Sequence, residues 1–219
     1  MKALIFDLDG TLADTLRDIM DAMNHALAAR GLPVHGPDAY RSFVGEGASQ
    51  LVRNALPPGR DELVPELLAA YRAHYLAHLI VHTQPYPGIP ELLSELQARG
   101  LPLAVLSNKP HELTTRVVAA LFPGVPFAGV LGQRPDHPRK PDPAGALELC
   151  SALGHAPGDI ALVGDTRTDM QTALAAGMIA IGVRWGFRDA PELTAHGAHH
   201  LIARPADLLA LFATTPPIA

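Results

Sequence analysis

Acids, a hydroxyl and lysines stand in four short stretches of this chain, and their types point to one chemistry. Asp7-Leu8-Asp9-Gly10-Thr11 sets two carboxylates two residues apart. Ser107-Asn108-Lys109 offers a hydroxyl, an amide and an ammonium, Lys140 precedes a proline, and Gly164-Asp165 is followed by Asp169. Carboxylates gathered in one place repel unless a cation offsets them, so a bound divalent ion is expected. A donor set of oxygens, without Cys or His at ligand spacing, favours Mg²⁺ over zinc. Of 17 basic residues, only Lys2, Lys109 and Lys140 are lysines. In a chain that otherwise writes Arg, an ammonium at such a position is informative, because it approaches one anion as a point charge where a guanidinium fork does not fit.

These residues need elements that bring them together. Leu4-Ile5-Phe6, Leu101–Leu106 and Ile160–Val163 are apolar runs of strand length, each ending at one of the polar stretches. Phe127–Leu131 and Ile179–Val183 read as further strands, and 91–99, 112–121, 141–153, 168–176 and 206–212 as helices. Alternating strands and short helices predict a parallel sheet, whose ligands bind beyond the carboxyl ends of the strands. The four stretches then meet at one sheet edge. From Asp14, an expected N-cap, to Arg30 a helical face carries Leu16, Ile19, Met20, Met23 and Leu27, and further helices are expected at 38–44, 48–56 and 62–82. The parse is an α/β domain, residues 1–14 and 82–219, split by an all-helical insertion at 15–81.

Composition excludes several alternatives. The 219 residues are 48% apolar, enough for a sizeable core, and no run of 18 apolar residues suits a membrane-spanning helix. A formal charge of −5 gives no footprint for nucleic acid. The opening MKALIFDLDG holds too short an apolar run for a signal peptide, and Cys150 is the single cysteine. The expectation is a cytoplasmic protein, a monomer or homodimer, that meets a small molecule rather than nucleic acid or membrane.

Asp7-Leu8-Asp9-Gly10-Thr11, Ser107, Lys140 and Gly164-Asp165-x-x-x-Asp169 resemble, in order and spacing, the four motifs of the haloacid dehalogenase superfamily. The resemblance covers nearly the whole chain and implies a Rossmann-like parallel-sheet core with an inserted helical cap. It implies that Asp7 is a nucleophile forming an aspartyl-phosphate, and that Asp9 is the acid and then the base. Mg²⁺ would be held by the carboxylates of Asp7 and Asp165 and the backbone carbonyl of Asp9. Thr11, Ser107, Asn108 and Lys140 would hold the phosphoryl oxygens, with Asp169 orienting the metal site or Lys140.

Within the superfamily, Asp9 argues against dehalogenases, which need no proton for the leaving group. A cap without lysine argues against phosphonoacetaldehyde hydrolases. Arg41-Ser42-Phe43-Val44-Gly45-Glu46-Gly47, Tyr86-Pro87-Gly88, Ser107-Asn108-Lys109-Pro110 and Gly182–Phe187 are similar to segments of bacterial phosphoglycolate phosphatases. That similarity implies a Mg²⁺-dependent phosphatase for 2-phosphoglycolate, with Arg41, Gly45, Glu46 and Gly47 selecting the substrate from the cap. For the substrate carboxylate, the Arg41 guanidinium and the N–H groups near Gly45 and Gly47 are the expected donors, with Glu46 turned away or held by an Arg. A phosphatase for another small ester or for pyrophosphate, a sugar-phosphate mutase, and a non-catalytic phospho-acceptor or binding domain remain alternatives.

Other readings are plainer. Ser107 also suits a helix cap, Asp169 a solvated helix start, and Lys109 either a surface charge or the site. His74, His78 and His82, expected on one helical face, read as a cap-packing or solvent-facing stripe. Cys150, among Leu147, Leu149 and Leu153, reads as core.

Overall fold

In a computed structural model that describes residues 1–212, the apolar runs form a parallel six-stranded sheet. Its strands are β1 (Ala3–Phe6), β4 (Leu103–Pro110), β5 (Gly129–Gln133), β6 (Ile160–Gly164), β7 (Ile179–Val183) and β8 (His200–Ile202). Their spatial order is β5-β4-β1-β6-β7-β8, which places β1 near the middle of the sheet. Leu4 is in register with Leu103 on one side, and Phe6 with Val163 on the other. Every residue of β1 is buried, as both faces of a parallel sheet require cover. Successive side chains leave on opposite faces, so Leu4 and Phe6 join one core cluster while Ala3 and Ile5 join the other.

Helices α5 (Ile89–Ala98), α6 (His111–Leu121), α7 (Ala144–Leu153), α8 (Arg167–Ala175), α9 (Ala190–Ala195) and α10 (Asp207–Ala210) cover the faces. Residues 213–219, the end of the expected core domain, lie outside the described residues. Cys150 is buried against Leu149 and Leu153, as expected of a core residue.

Between β1 and the rest of the sheet the chain makes a helical excursion. β2 (Ala13–Asp14) leads out and β3 (Gln84–Pro85) leads back, paired antiparallel as a two-stranded ribbon. Between them α1 (Leu16–Ala28), α2 (Pro37–Phe43), α3 (Ala48–Ala55) and α4 (Val64–Ala77) follow one another without a strand. The buried face of α1 carries Leu16, Ile19, Met23 and Leu27 at helical spacing. One acid, Asp18, is buried on that face. Its carboxylate accepts the backbone N–H groups of Val81, His82 and Thr83 at 2.9–3.0 Å, which ties the returning chain to the outgoing helix.

Several boundaries differ from expectation. Asp14 belongs to β2 and α1 starts at Leu16, so Asp14 is not its N-cap residue. The helix expected over 62–82 is a short 3₁₀ turn at Asp61–Leu63 followed by α4, which stops at Ala77. Asp18 holds the N–H groups of 81–83 that a continued helix would have used internally. His82 is therefore off the helix; the ring that joins His74 and His78 is His25 of α1, stacked 3.9 Å from His74, with His78 at 4.2 Å. α7 begins at Ala144 rather than 141, because Pro143 disfavours helical backbone at Asp142. β4 starts at Leu103 and runs past Leu106 to Pro110, with a break in register before Pro110 pairs with Gln133.

Candidate active site

The first acidic stretch leaves the carboxyl end of β1 and turns at once. Gly10 makes that turn possible: its φ is +85°, and a Cβ there would collide with the Asp165 carboxylate. Asp7 is buried, and its Oδ1 meets the Lys140 ammonium at 3.0 Å. The Lys140 Nζ also meets Asp169 Oδ1 at 2.6 Å and donates to the Leu106 carbonyl at 3.0 Å, which uses its three donors.

The neighbouring residues hold these groups in place. Asn108 accepts from the Lys140 N–H at 2.9 Å and donates to the Lys140 carbonyl at 3.1 Å. Asp169 accepts the Thr166 N–H at 3.0 Å and the Thr166 hydroxyl at 2.6 Å, part of the capping box that opens α8. Asp165 accepts the Thr11 hydroxyl at 3.1 Å and the Phe187 N–H at 2.7 Å. The Trp185 indole donates to the Thr11 carbonyl at 3.0 Å, fixing the other side of that loop.

One carboxylate oxygen from each of Asp7, Asp165 and Asp169 lies within 4.8 Å of the others, and all three residues are buried. Burial, followed by repulsion from Asp169, pushes Asp165 up to about 7. Asp7 is held well above the carboxylate range, by burial first; Lys140 opposes it, while Asp169, Asp165 and Asp9 add to it. Lys140 feels burial pulling it down, yet Asp169 and Asp7 hold it above its ordinary value. Its charge is shared between two acids, so burial dominates at Asp7. The cluster has more negative charge than one ammonium offsets, and its donors are all oxygen. Such a set suits a hard divalent cation.

Asp7, Asp9, Thr11, Ser107, Asn108, Lys140, Asp165 and Asp169 thus come together at the carboxyl edge of the sheet. Their contacts divide them. Thr11 spends its hydroxyl on Asp165, and Asn108 spends its amide on Lys140 and on the Gly45 carbonyl at 3.0 Å. Ser107 accepts the Lys109 N–H at 3.2 Å and lines a cavity beside Asp7 and Asp9.

The helical excursion roofs that cavity through Gly45, Gly47, Ala48 and Leu51. Arg139 donates to the Glu46 carbonyl at 2.8 Å. Arg188 reaches three carbonyls of the same loop, Arg41, Ser42 at 3.1 Å and Val44 at 2.8 Å. Glu46 turns to an ion pair with Arg167, as expected of an acid kept from an anionic ligand. Arg41 is exposed and donates to the Gly186 carbonyl at 3.2 Å, and it does not line the cavity.

Sequence reasoning left Lys109 undecided, and the structure buries it. Its Nζ donates to Asp9 Oδ1 at 2.9 Å and to the Tyr75 hydroxyl of α4 at 2.6 Å. Tyr75, Trp185, Arg139 and Arg188 carry no motif of their own; only the similar segment Gly182–Phe187 contains Trp185 and adjoins Arg188.

An acidic, lysine-bearing centre at the carboxyl edge of a parallel sheet, roofed by helices, is the arrangement of a haloacid dehalogenase-like hydrolase, and the chain belongs to that family, its residues 4–183 matching the family model. The chain is 33% identical over 211 residues to the phosphoglycolate phosphatase of Aquifex aeolicus, covering 96% of each. It is 36% identical over 214 residues to that of Chromobacterium violaceum, covering 95% of this chain and 96% of the relative. Among solved structures, a haloacid dehalogenase-like hydrolase from Streptococcus pneumoniae superposes with a TM-score of 0.88 at 26% identity, covering 97% of this chain and 98% of that one.

Proposed function

We propose that this protein is a Mg²⁺-dependent phosphatase that hydrolyses a small phosphate monoester, 2-phosphoglycolate, through an aspartyl-phosphate on Asp7. The observation that carries this reading is the contact of one buried lysine, Lys140, with both Asp7 and Asp169 beside a cavity that also reaches Asp9. Asp7 attacks phosphorus, and Asp9 gives a proton to the departing ester oxygen. Asp9 then takes a proton from the water that attacks the acyl-phosphate, which frees inorganic phosphate and restores Asp7. Lys140 and the Ser107 hydroxyl meet the phosphoryl oxygens, where charge stabilisation contributes most.

The carboxylates of Asp7 and Asp165 and the backbone carbonyl of Asp9 are the groups that would hold Mg²⁺. When bound, Mg²⁺ supplies the positive charge that the acidic cluster and a phosphoryl group both need. Asp169 is already engaged by Lys140 and Thr166, so it orients Lys140. Residues 15–81 act as a cap over the core formed by 1–14 and 82 onward, closing the cavity to water. Thr11 and Asn108 act by fixing Asp165 and Lys140. A cytoplasmic setting fits the single, buried cysteine, and no described helix is long and apolar enough to cross a membrane.

The test is a panel of phosphate monoesters with Mg²⁺. We expect kcat/KM for 2-phosphoglycolate to exceed that for hexose phosphates and pyrophosphate by roughly ten- to a hundredfold, the range one well-made charged hydrogen bond allows. A hexose phosphate preferred by that margin removes the substrate assignment and leaves the phosphatase class.

A further inference from the structure

Phosphate is met by the core, so the rest of the substrate must be recognised in the cavity under the helices. That space is lined on the helical side mainly by apolar groups, Ile19, Val44, Ala48 and Leu51, with Tyr71 beside them. Lys109 is the one cationic side chain among its described lining residues. Its ammonium is buried, with Asp9 at 2.9 Å, the Tyr75 hydroxyl at 2.6 Å and the Tyr75 ring centroid at 4.6 Å. An ammonium has three N–H donors, and among the described residues only these two acceptors meet it. Lys140, by contrast, has used all three on Asp7, Asp169 and Leu106.

Burying a cation is costly unless partners meet it, and an apolar wall makes the remaining N–H direction expensive to leave without one. A short leaving group with one anionic end matches one cation in an apolar chamber. A hexose would bring several hydroxyls against the apolar roof of Ile19, Val44, Ala48 and Leu51, where their hydration is lost without replacement. Arg41, the guanidinium expected to do this work, is outside the cavity and bonded to Gly186.

We propose that Lys109 receives the carboxylate of the substrate's leaving group and selects esters that carry one small anion there. This rests on the phosphatase reading above and names the residue that makes the substrate choice. Because Tyr75 comes from α4 and Lys109 from β4, the receptor is assembled from both sides of the cavity.

The experiment compares 2-phosphoglycolate with ethyl phosphate, which has a methyl group in place of the carboxylate. In Lys109→Met both substrates lose activity, since Asp9 loses its ion-pair partner. We expect kcat/KM for 2-phosphoglycolate to fall a further ten- to hundredfold or so, mainly through KM. Equal losses on both substrates mean that Lys109 acts only through Asp9 and overturn the proposal, leaving the phosphoglycolate reading intact. A wild type that does not favour 2-phosphoglycolate over ethyl phosphate overturns that reading itself, and this proposal with it. If Lys109→Met does not fold by circular dichroism, Ala48→Asp keeps the buried lysine and adds a competing carboxylate to the chamber. The same selective loss is then expected, and equal losses again overturn the proposal.

Discussion

At the scale of single residues, the proposed attack by Asp7 rests on Lys140, which meets one of its oxygens at 3.0 Å while the cavity reaches the same carboxylate. An amide keeps that shape but cannot form an acyl-phosphate. Asp7→Asn should lower turnover by about 10⁴-fold or more with unchanged helical circular dichroism, measured on any accepted ester. Activity within tenfold of wild type would rule out covalent catalysis at Asp7. Asp165 gives a second outcome, in stability. Its folded value of about 7 lies above its ordinary 3.8, so the protonated form is the one the fold favours. In protein stripped by a chelator, this contribution is full below about pH 4 and is lost as pH rises through about 7. The Tm should decline across that window, and the decline should flatten in Asp165→Asn. At pH 7.5, Mg²⁺ at a hundred times its Kd should restore about 2.7 kcal/mol.

At the scale of elements, one buried carboxylate decides where α4 ends and how the chain returns. Asp18→Ala leaves the N–H groups of Val81, His82 and Thr83 without their acceptor. Bonds to a charged acceptor contribute about 1.5–3 kcal/mol each, so urea unfolding should show a loss of about 3 kcal/mol or more. Nothing local in the sequence marks Asp18, because its partners lie more than sixty residues away. The same distance effect separates what was legible from what was not. Asp7, Asp9, Ser107 and Asp165 could be placed because apolar runs of strand length lead into each of them. β2 and β3, two residues each, are too short to show a period, and β8 is partly exposed at the sheet edge. Lys109 was ambiguous because its burial depends on Tyr75, which only the folded packing of α4 supplies. Arg41, a receptor by its position in the sequence, meets the Gly186 carbonyl, far along the chain, rather than the cavity.

At the scale of the whole molecule, the proposed mechanism needs the sheet edge, a cation and the helical roof at once. Removing the metal with EDTA should abolish turnover and Mg²⁺ should restore it. Ca²⁺ should bind yet inhibit, since its longer and looser coordination displaces the nucleophile from phosphorus. Full activity after exhaustive chelation would exclude a metal-dependent mechanism.

The fastening of the helical excursion to the sheet has a consequence for how such a protein diversifies. Asn108, Arg139 and Arg188 all donate from the sheet side, and what they grip on the loop from Arg41 to Glu46 is main-chain carbonyl oxygen. Every residue type presents that oxygen, so side chains facing the cavity can be exchanged without loosening the clasp. The apolar lining that the helices give the cavity can therefore drift without disturbing the sheet edge, so long as Tyr75 keeps its bond to Lys109. Helical segments transplanted between relatives should dock on a foreign sheet and reshape the cavity roof, while the charge that Lys109 contributes stays with the sheet, provided the loop keeps the backbone path that Gly45 and Gly47, with φ of +125° and +86°, allow.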